Sequence, residues 1–136
     1  QTLAKAGPVS LEPNLPFPEL RKAYQSATFF WHAAGYGHDE KKNPADAEHF
    51  GMTTVEAMAA GCIPLVINKG GQPEIVEHGV SGFVWDRPDQ LLDFTRALAR
   101  DPGRRAAMSL AARERAASFS RAAFLEKFMN LLGPLP

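Results

Sequence analysis

The sequence predicts an α/β fold of the doubly wound kind, a parallel sheet covered by helices. Short apolar runs (Thr28–His32, Cys62–Ile67, Gly82–Trp85) alternate with segments of helical periodicity, the rhythm of strand and crossover helix. Glycine, proline and asparagine punctuate the junctions. The length of 136 residues, 45% hydrophobic and 22% charged, is that of one domain able to bury a core. A disordered tail, a collagen-like repeat and a disulfide mini-protein are excluded.

After an opening rich in proline (Pro8, Pro13, Pro16, Pro18), the segment from Pro18 to Ala27 predicts a short helix, with Leu20, Ala23, Tyr24 and Ala27 at helical spacing. Thr28 to His32 reads as a buried strand. From Ala33 to Phe50 glycine, proline, asparagine and charge predict a long loop leaving the end of that strand. Thr53 to Ala60 is a helix with Thr53 as N-cap, Glu56 three residues on, and Gly61 in the left-handed closing position. Cys62 to Ile67 is the central strand and Asn68 to Gly71 a turn. Gln72 to His78 is a short helix stopped by Gly79, and Gly82 to Trp85 is a further strand. Three helices finish the chain: Asp89 to Arg100, Pro102 to about Ala117, and Ser120 to Leu132.

Lys+Arg and Asp+Glu number 15 each, so no overall excess advertises a nucleic acid. From Arg96 onward, however, eight basic residues face three acidic. A solvated helix face is the ordinary reading, with a partner domain or contact with lipid headgroups as the alternatives. The single cysteine, Cys62, excludes an intrachain disulfide and reads as a small buried residue. No apolar stretch approaches the roughly 20 residues of a membrane span, and the N-terminus lacks an apolar signal region. The default expectation is a cytoplasmic protein.

In open parallel sheets ligands bind beyond the carboxyl ends of the strands, and the loop from Ala33 to Met52 joins such an end to a helix N-terminus. Glu48-His49-Phe50-Gly51-Met52-Thr53 brings a glycine and several backbone N–H groups there, where orphan donors and the helix dipole favour a phosphate. A bound diphosphate ester would also need acceptors for its sugar hydroxyls, which Glu48 before the loop and Glu56 one turn into the helix would supply. The plainer readings stand beside these: Thr53 and Glu56 make a capping box that needs no ligand, Glu48 is a solvated charge, and Gly51 a turn residue. His32, His38, Asp39, Glu40, Asp46, Glu48 and His49 lack the spacing of a metal motif, so no metal is expected. His32 is either a satisfied core histidine or a group facing the site.

The run from Glu48 to Pro64 resembles the E-x7-E signature region of retaining glycosyltransferases with the two-domain GT-B architecture, a family that includes sucrose and glycogen synthases and many mannosyltransferases. Gly70-Gly71-Gln72-Pro73-Glu74-Ile75-Val76 through Val84 resembles that family's next block, and Met108 through Ser120 its closing helices. The resemblance covers roughly Leu20 to Phe128. It implies a Rossmann-like nucleotide-sugar donor domain with C-terminal helices. By the same resemblance Glu56 accepts hydrogen bonds from the ribose hydroxyls and Glu48 lies beside the donor sugar and diphosphate. Phe50, Gly51, Met52 and Thr53 form the loop whose amides hold sugar hydroxyls and phosphates without a metal or other cofactor. The segment His32 to Gly37 resembles a subgroup acting on polyprenyl-linked or surface-polysaccharide acceptors.

Measured against that family, the 136 residues correspond to one partial domain. By the same resemblance the N-terminal acceptor domain, the first strand and helix of the donor domain and its basic diphosphate clamp are expected to precede residue 1, and neither Lys5 nor Arg21-Lys22 takes the clamp's place. An exposed edge on the Thr28 strand would invite a homodimer or strand swap. The expected function is the donor-binding part of a retaining glycosyltransferase using a nucleoside diphosphate sugar, this chain alone being inactive. The alternative is a non-catalytic α/β module that binds an anion or a partner protein.

Overall fold

Ile63–Ile67 (β2) is the strand around which everything else is laid, and all five of its residues are buried. A strand covered on both faces needs apolar side chains on both, and the run Ile-Pro-Leu-Val-Ile supplies them. In the computed structural model, which describes residues 7–38, 42 and 48–133, β2 pairs in parallel with Phe29–His32 (β1) and Phe83–Trp85 (β3). The sheet order is β1-β2-β3, with Trp31 opposite Leu65 and Leu65 opposite Phe83. The helices are α1 (Phe17–Ser26), α2 (Met52–Ala60), α3 (Gln72–Ile75), α4 (Pro88–Arg100), α5 (Pro102–Ala117) and α6 (Arg121–Leu132).

Two apolar clusters make the core. Ile63, Leu65 and Ile67 pack with Phe83, Trp85, Leu91, Leu98 and Met108, while Val66 packs with Met58, Ile75, Val76, Ala112 and Ala116. The odd and even residues of β2 thus serve opposite faces, which is the two-sided covering the sequence predicts. Phe83 and Phe94 stack at 4.3 Å, and the Trp85 indole donates to the Leu65 carbonyl at 3.3 Å. Cys62 is buried, as expected, and its thiol donates to the Tyr24 carbonyl at 3.0 Å. Burial pushes that thiol's pKa up, so it is a poor nucleophile.

Three of the eight basic residues in the last third have a structural use. Arg105 donates to the Leu98 and Ala99 carbonyls at the end of α4, Arg113 to Ala60 at the end of α2, and Arg115 to Glu74 and Ile75 at the end of α3. Guanidinium groups thereby satisfy helix C-terminal carbonyls that have no intrahelical donor. The reading of these arginines as a merely solvated face is corrected accordingly.

Two of the element boundaries that differ from expectation have an evident cause. The helix predicted over Gln72 to His78 ends at Ile75, because Val76 is extended (φ −95°, ψ 116°) and the Glu77 amide donates to the Ser81 hydroxyl instead of a helical carbonyl. The helix predicted from Thr53 begins at Met52, with Gly51 as its N-cap.

Candidate functional site

The carboxyl ends of β1 and β2 open onto two turns that grip each other. The first is Glu48–Gly51, leading into α2; the second is Lys69–Gly71, leading into α3. The Gly71 amide donates to the Glu48 carbonyl at 3.0 Å. A Cβ at Gly70 would collide with that same carbonyl and one at Gly71 with the His49 carbonyl, so the paired glycines are what let the two backbones touch.

Within the first turn the Glu48 carboxylate accepts from the Gly51 amide at 3.1 Å and from the Phe50 amide at 3.3 Å. Gly51 lies in the left-handed region (φ 85°, ψ 46°), where glycine alone is free of steric cost, and it provides no side-chain cap. The capping box anticipated between Thr53 and Glu56 is not formed, because the chain already enters the helix at Met52 and Thr53 lies inside its first turn. The amides of Met52 and Thr53, at the first two helical positions, have no intrahelical acceptor. They stand at the positive end of α2, and their residues are exposed. Phe50 is also exposed, its ring meeting Phe119 edge to face at 6.3 Å.

Glu56 faces elsewhere. It borders a groove of about 260 Å³ between α1 and α2, together with Phe17, Arg21, Tyr24, Gln25 and Ala59, and on its other side a groove shared with Arg113 and Phe119. The Tyr24 hydroxyl is held above its usual pKa by burial and then by the negative charge of Glu56, which places the two groups in one electrostatic environment. The structure therefore brings Glu48, Phe50, Gly51, Met52 and Thr53 together at the start of α2, with Glu56 one turn farther along, turned toward α1. Arg21 shares that groove, whereas Lys22 is spent on an exposed ion pair with Glu19 at 3.2 Å.

His32 closes β1 and is buried, and its Nδ1 has no partner among the described residues. Burial lowers its pKa, with the Glu48 charge acting in the opposite sense, so the ring is neutral at pH 7. Asp39, Glu40 and Asp46, weighed above as metal ligands, and Lys5 lie outside the described residues. No group of three or more potential metal ligands occurs among the described residues.

Three residues of the site escaped the sequence reading. Lys69 stands two residues beyond β2 and donates from Nζ to the carbonyls of Gly35 (2.7 Å) and His38, pinning the start of the loop after β1. Thr54 and Gln72 are fully buried and hydrogen-bonded to each other, Thr54 Oγ1 donating to Gln72 Oε1 at 2.8 Å. Their signal was available. Thr54 lies on the buried stripe with Ala57 and Met58, and Gln72 on the buried face with Ile75, each a polar residue at an apolar position.

The family described as glycosyl transferases group 1 matches residues 9–115. The chain belongs to that family. Among group 1 relatives, D-inositol 3-phosphate glycosyltransferase 1 of Catenulispora acidiphila is 34% identical over 113 residues, which is 82% of this chain and 24% of the relative. The human α-1,3/1,6-mannosyltransferase ALG2 is 39% identical over 92 residues, covering 65% of this chain and 22% of the relative. Sucrose synthase 2 of Pisum sativum is 49% identical over 65 residues, 43% of this chain and 8% of the relative. The chain thus spans less than a quarter of the length of each of these relatives. The crystal structure of Anabaena Alr3699/HepE in complex with UDP superimposes with a TM-score of 0.67 at 23% identity, covering 82% of this chain and 29% of that one. That likeness shows that the two chains share an α/β fold. No helix among the described residues is long and apolar enough to cross a membrane.

Proposed function

We propose that this chain is the donor-binding part of a retaining glycosyltransferase, which moves a sugar from a nucleoside diphosphate to an acceptor with net retention at the anomeric carbon. The observation that carries the reading is the start of α2, where a glycine replaces a capping side chain and leaves two amides at the positive end of the helix, beyond the carboxyl ends of parallel strands. Backbone donors fixed in advance at that point are suited to the charge that grows on a leaving diphosphate, and such preorganised arrays commonly supply the largest part of a rate enhancement. In this reading no metal or cofactor is needed: Gly51, Met52 and Thr53 meet the phosphates, Phe50 borders them, and Glu48 lies beside the donor sugar.

Glu56, in its groove with Tyr24 and Arg21, takes the ribose hydroxyls. The loss of its expected capping role favours this, because its carboxylate is not engaged by the helix start. Since the relatives are several times longer, the acceptor is assigned to a second domain, and turnover to the two together.

Titration of the chain with UDP, GDP and ADP, followed by protein-observed NMR, tests the reading. UDP is the first choice because Alr3699/HepE was crystallised with it. Saturable shifts at Gly51, Met52 and Thr53 are expected for one nucleotide, and Glu56→Ala should weaken its binding about tenfold or more, at least 1.4 kcal/mol. Because Glu56 makes no cap, the variant should melt close to the parent. A Glu56→Ala chain that binds every nucleotide as the parent does would remove Glu56 from the site.

A further inference from the structure

Gln72 is out of place for a packing residue. It is fully buried, and a leucine or methionine would fill the same volume without taking an amide out of water. Half of its cost is offset, since Oε1 accepts from Thr54 Oγ1 at 2.8 Å. The other half is not: Nε2 has no hydrogen-bond partner among the described residues. The Thr54 hydroxyl can donate or accept, so turning the amide over would leave the opposite atom stranded in the same place.

That place lies directly under the α2 start. A Cβ on Gly51 would stand 2.6 Å from Gln72 Nε2, 3.2 Å from its Cδ and 2.9 Å from Ile75 Cδ1. Gly51 therefore packs against the Gln72 amide too closely for any side chain, and Thr54, in the first turn of α2, holds that amide by its hydrogen bond. The turn is thus held twice by the segment that follows β2: from the side, where Gly71 donates to the Glu48 carbonyl, and from beneath, by Gln72.

We infer that Gln72, locked by Thr54, is the positioning residue of the Gly51 turn: packed against Gly51, it sets the position and direction of the Met52 and Thr53 amides. The inference rests on the proposal that those amides receive an anion. Its physical content is preorganisation. A half-satisfied buried amide is a cost that an apolar residue of the same volume would avoid, and here it holds the turn's amides in a fixed geometry before an anion arrives. Gln72 itself is too deeply buried to touch the ligand.

The test uses the full chain with Gln72→Met, Thr54→Val, their double variant and Thr54→Ser, read by the amide resonances of Gly51, Met52 and Thr53 and by UDP affinity. Gln72→Met keeps the volume and removes the amide; Thr54→Val removes only the lock. Each is expected to displace the three turn resonances while leaving those of α4 and α5 in place, and to weaken UDP binding about tenfold. The double variant should be no weaker than the poorer single one, as for two residues acting through one contact, and Thr54→Ser should restore parental shifts and affinity. Turn resonances that stay at their parental positions in Thr54→Val overturn the inference, and so do losses in the two single variants that simply add. If Gln72→Met does not fold, the Thr54→Val and Thr54→Ser pair decides alone. A parent chain that binds no UDP defeats the donor reading, whereas the turn resonances of the unliganded variants still decide whether Gln72 positions the turn.

Discussion

The start of α2 and the starts of α5 and α6 solve the same problem in opposite ways. Every helix begins with amides that have no partner in the preceding turn. At α5 the Asp101 carboxylate accepts from the Arg104 amide at 2.9 Å, and at α6 the Ser120 hydroxyl accepts from the Ala123 amide at 3.2 Å. At α4 the Gln90 side chain reaches back to the amides of Asp86 and Arg87, at 2.9 and 3.0 Å. At α2 the cap is a glycine with nothing to offer, and the one nearby carboxylate, Glu48, serves amides that precede the helix. The Asp101 and Ser120 caps open helices that follow another helix, away from the strand ends. The α2 start has no such side chain and stands beyond the strand ends, held by a second turn and a buried amide. A helix whose start is structurally supported but chemically unfinished is a helix prepared for a ligand.

The contrast can be broken most forcefully at Gly51. Gly51→Ala adds a Cβ 2.6 Å from Gln72 Nε2 at a φ of 85°, so left-handed strain and overpacking combine. A loss of about 2–4 kcal/mol in urea denaturation is expected, with nucleotide binding abolished. An intermediate effect separates the two kinds of start. Asp101→Ala and Ser120→Ala should each cost about 1 kcal/mol and leave nucleotide affinity unchanged, whereas Thr53→Ala, which removes no cap, should stay within about 0.5 kcal/mol of the parent. A Thr53→Ala loss as large as that of Asp101→Ala would mean that Thr53 caps α2 in solution, and the comparison would fail.

The smallest effect is a pH dependence on the site side alone. Burial holds the folded pKa of His32 below its ordinary 6.5, so the unfolded chain takes up a proton first. Stability is then complete above about pH 6.5 and is lost as the pH falls from there through the lower folded value. Comparing denaturation of the parent and of His32→Asn between pH 7.5 and 5 should show a shallower decline in the variant. Equal slopes would mean that His32 contributes nothing to the acid sensitivity.

Sequence reasoning reached the strands within a residue or so, since a continuous apolar run bounded by glycine and asparagine reports itself locally. It reached α4, α5 and α6 for the same reason, through their helical spacing. It placed the start of α2 at Thr53 because Thr-x-x-Glu is a sound local cap, and it extended α3 to His78 because Gly79 is a sound local stop. The first was overruled by contacts from elsewhere in the chain, Gly71 on Glu48 and Gln72 against Gly51, and the second by a local one, the Ser81 hydroxyl on the Glu77 amide. The arginines of α5 were legible as charge but not as caps for other helices, because the carbonyls they reach belong to segments 6 to 53 residues away.

What the amino-acid sequence settled by itself is the alternation of strand and helix, the two-sided burial of β2 and the family, all carried by patterns that need no neighbour beyond the next turn of chain. What only the tertiary structure decided is where α2 begins, that Glu56 turns toward α1 instead of capping its own helix, and that Thr54 and Gln72, 18 residues apart, meet under the same glycine. The reason is reach: periodicity and capping act over three or four residues, whereas the site is a junction of two turns brought together by the sheet between them.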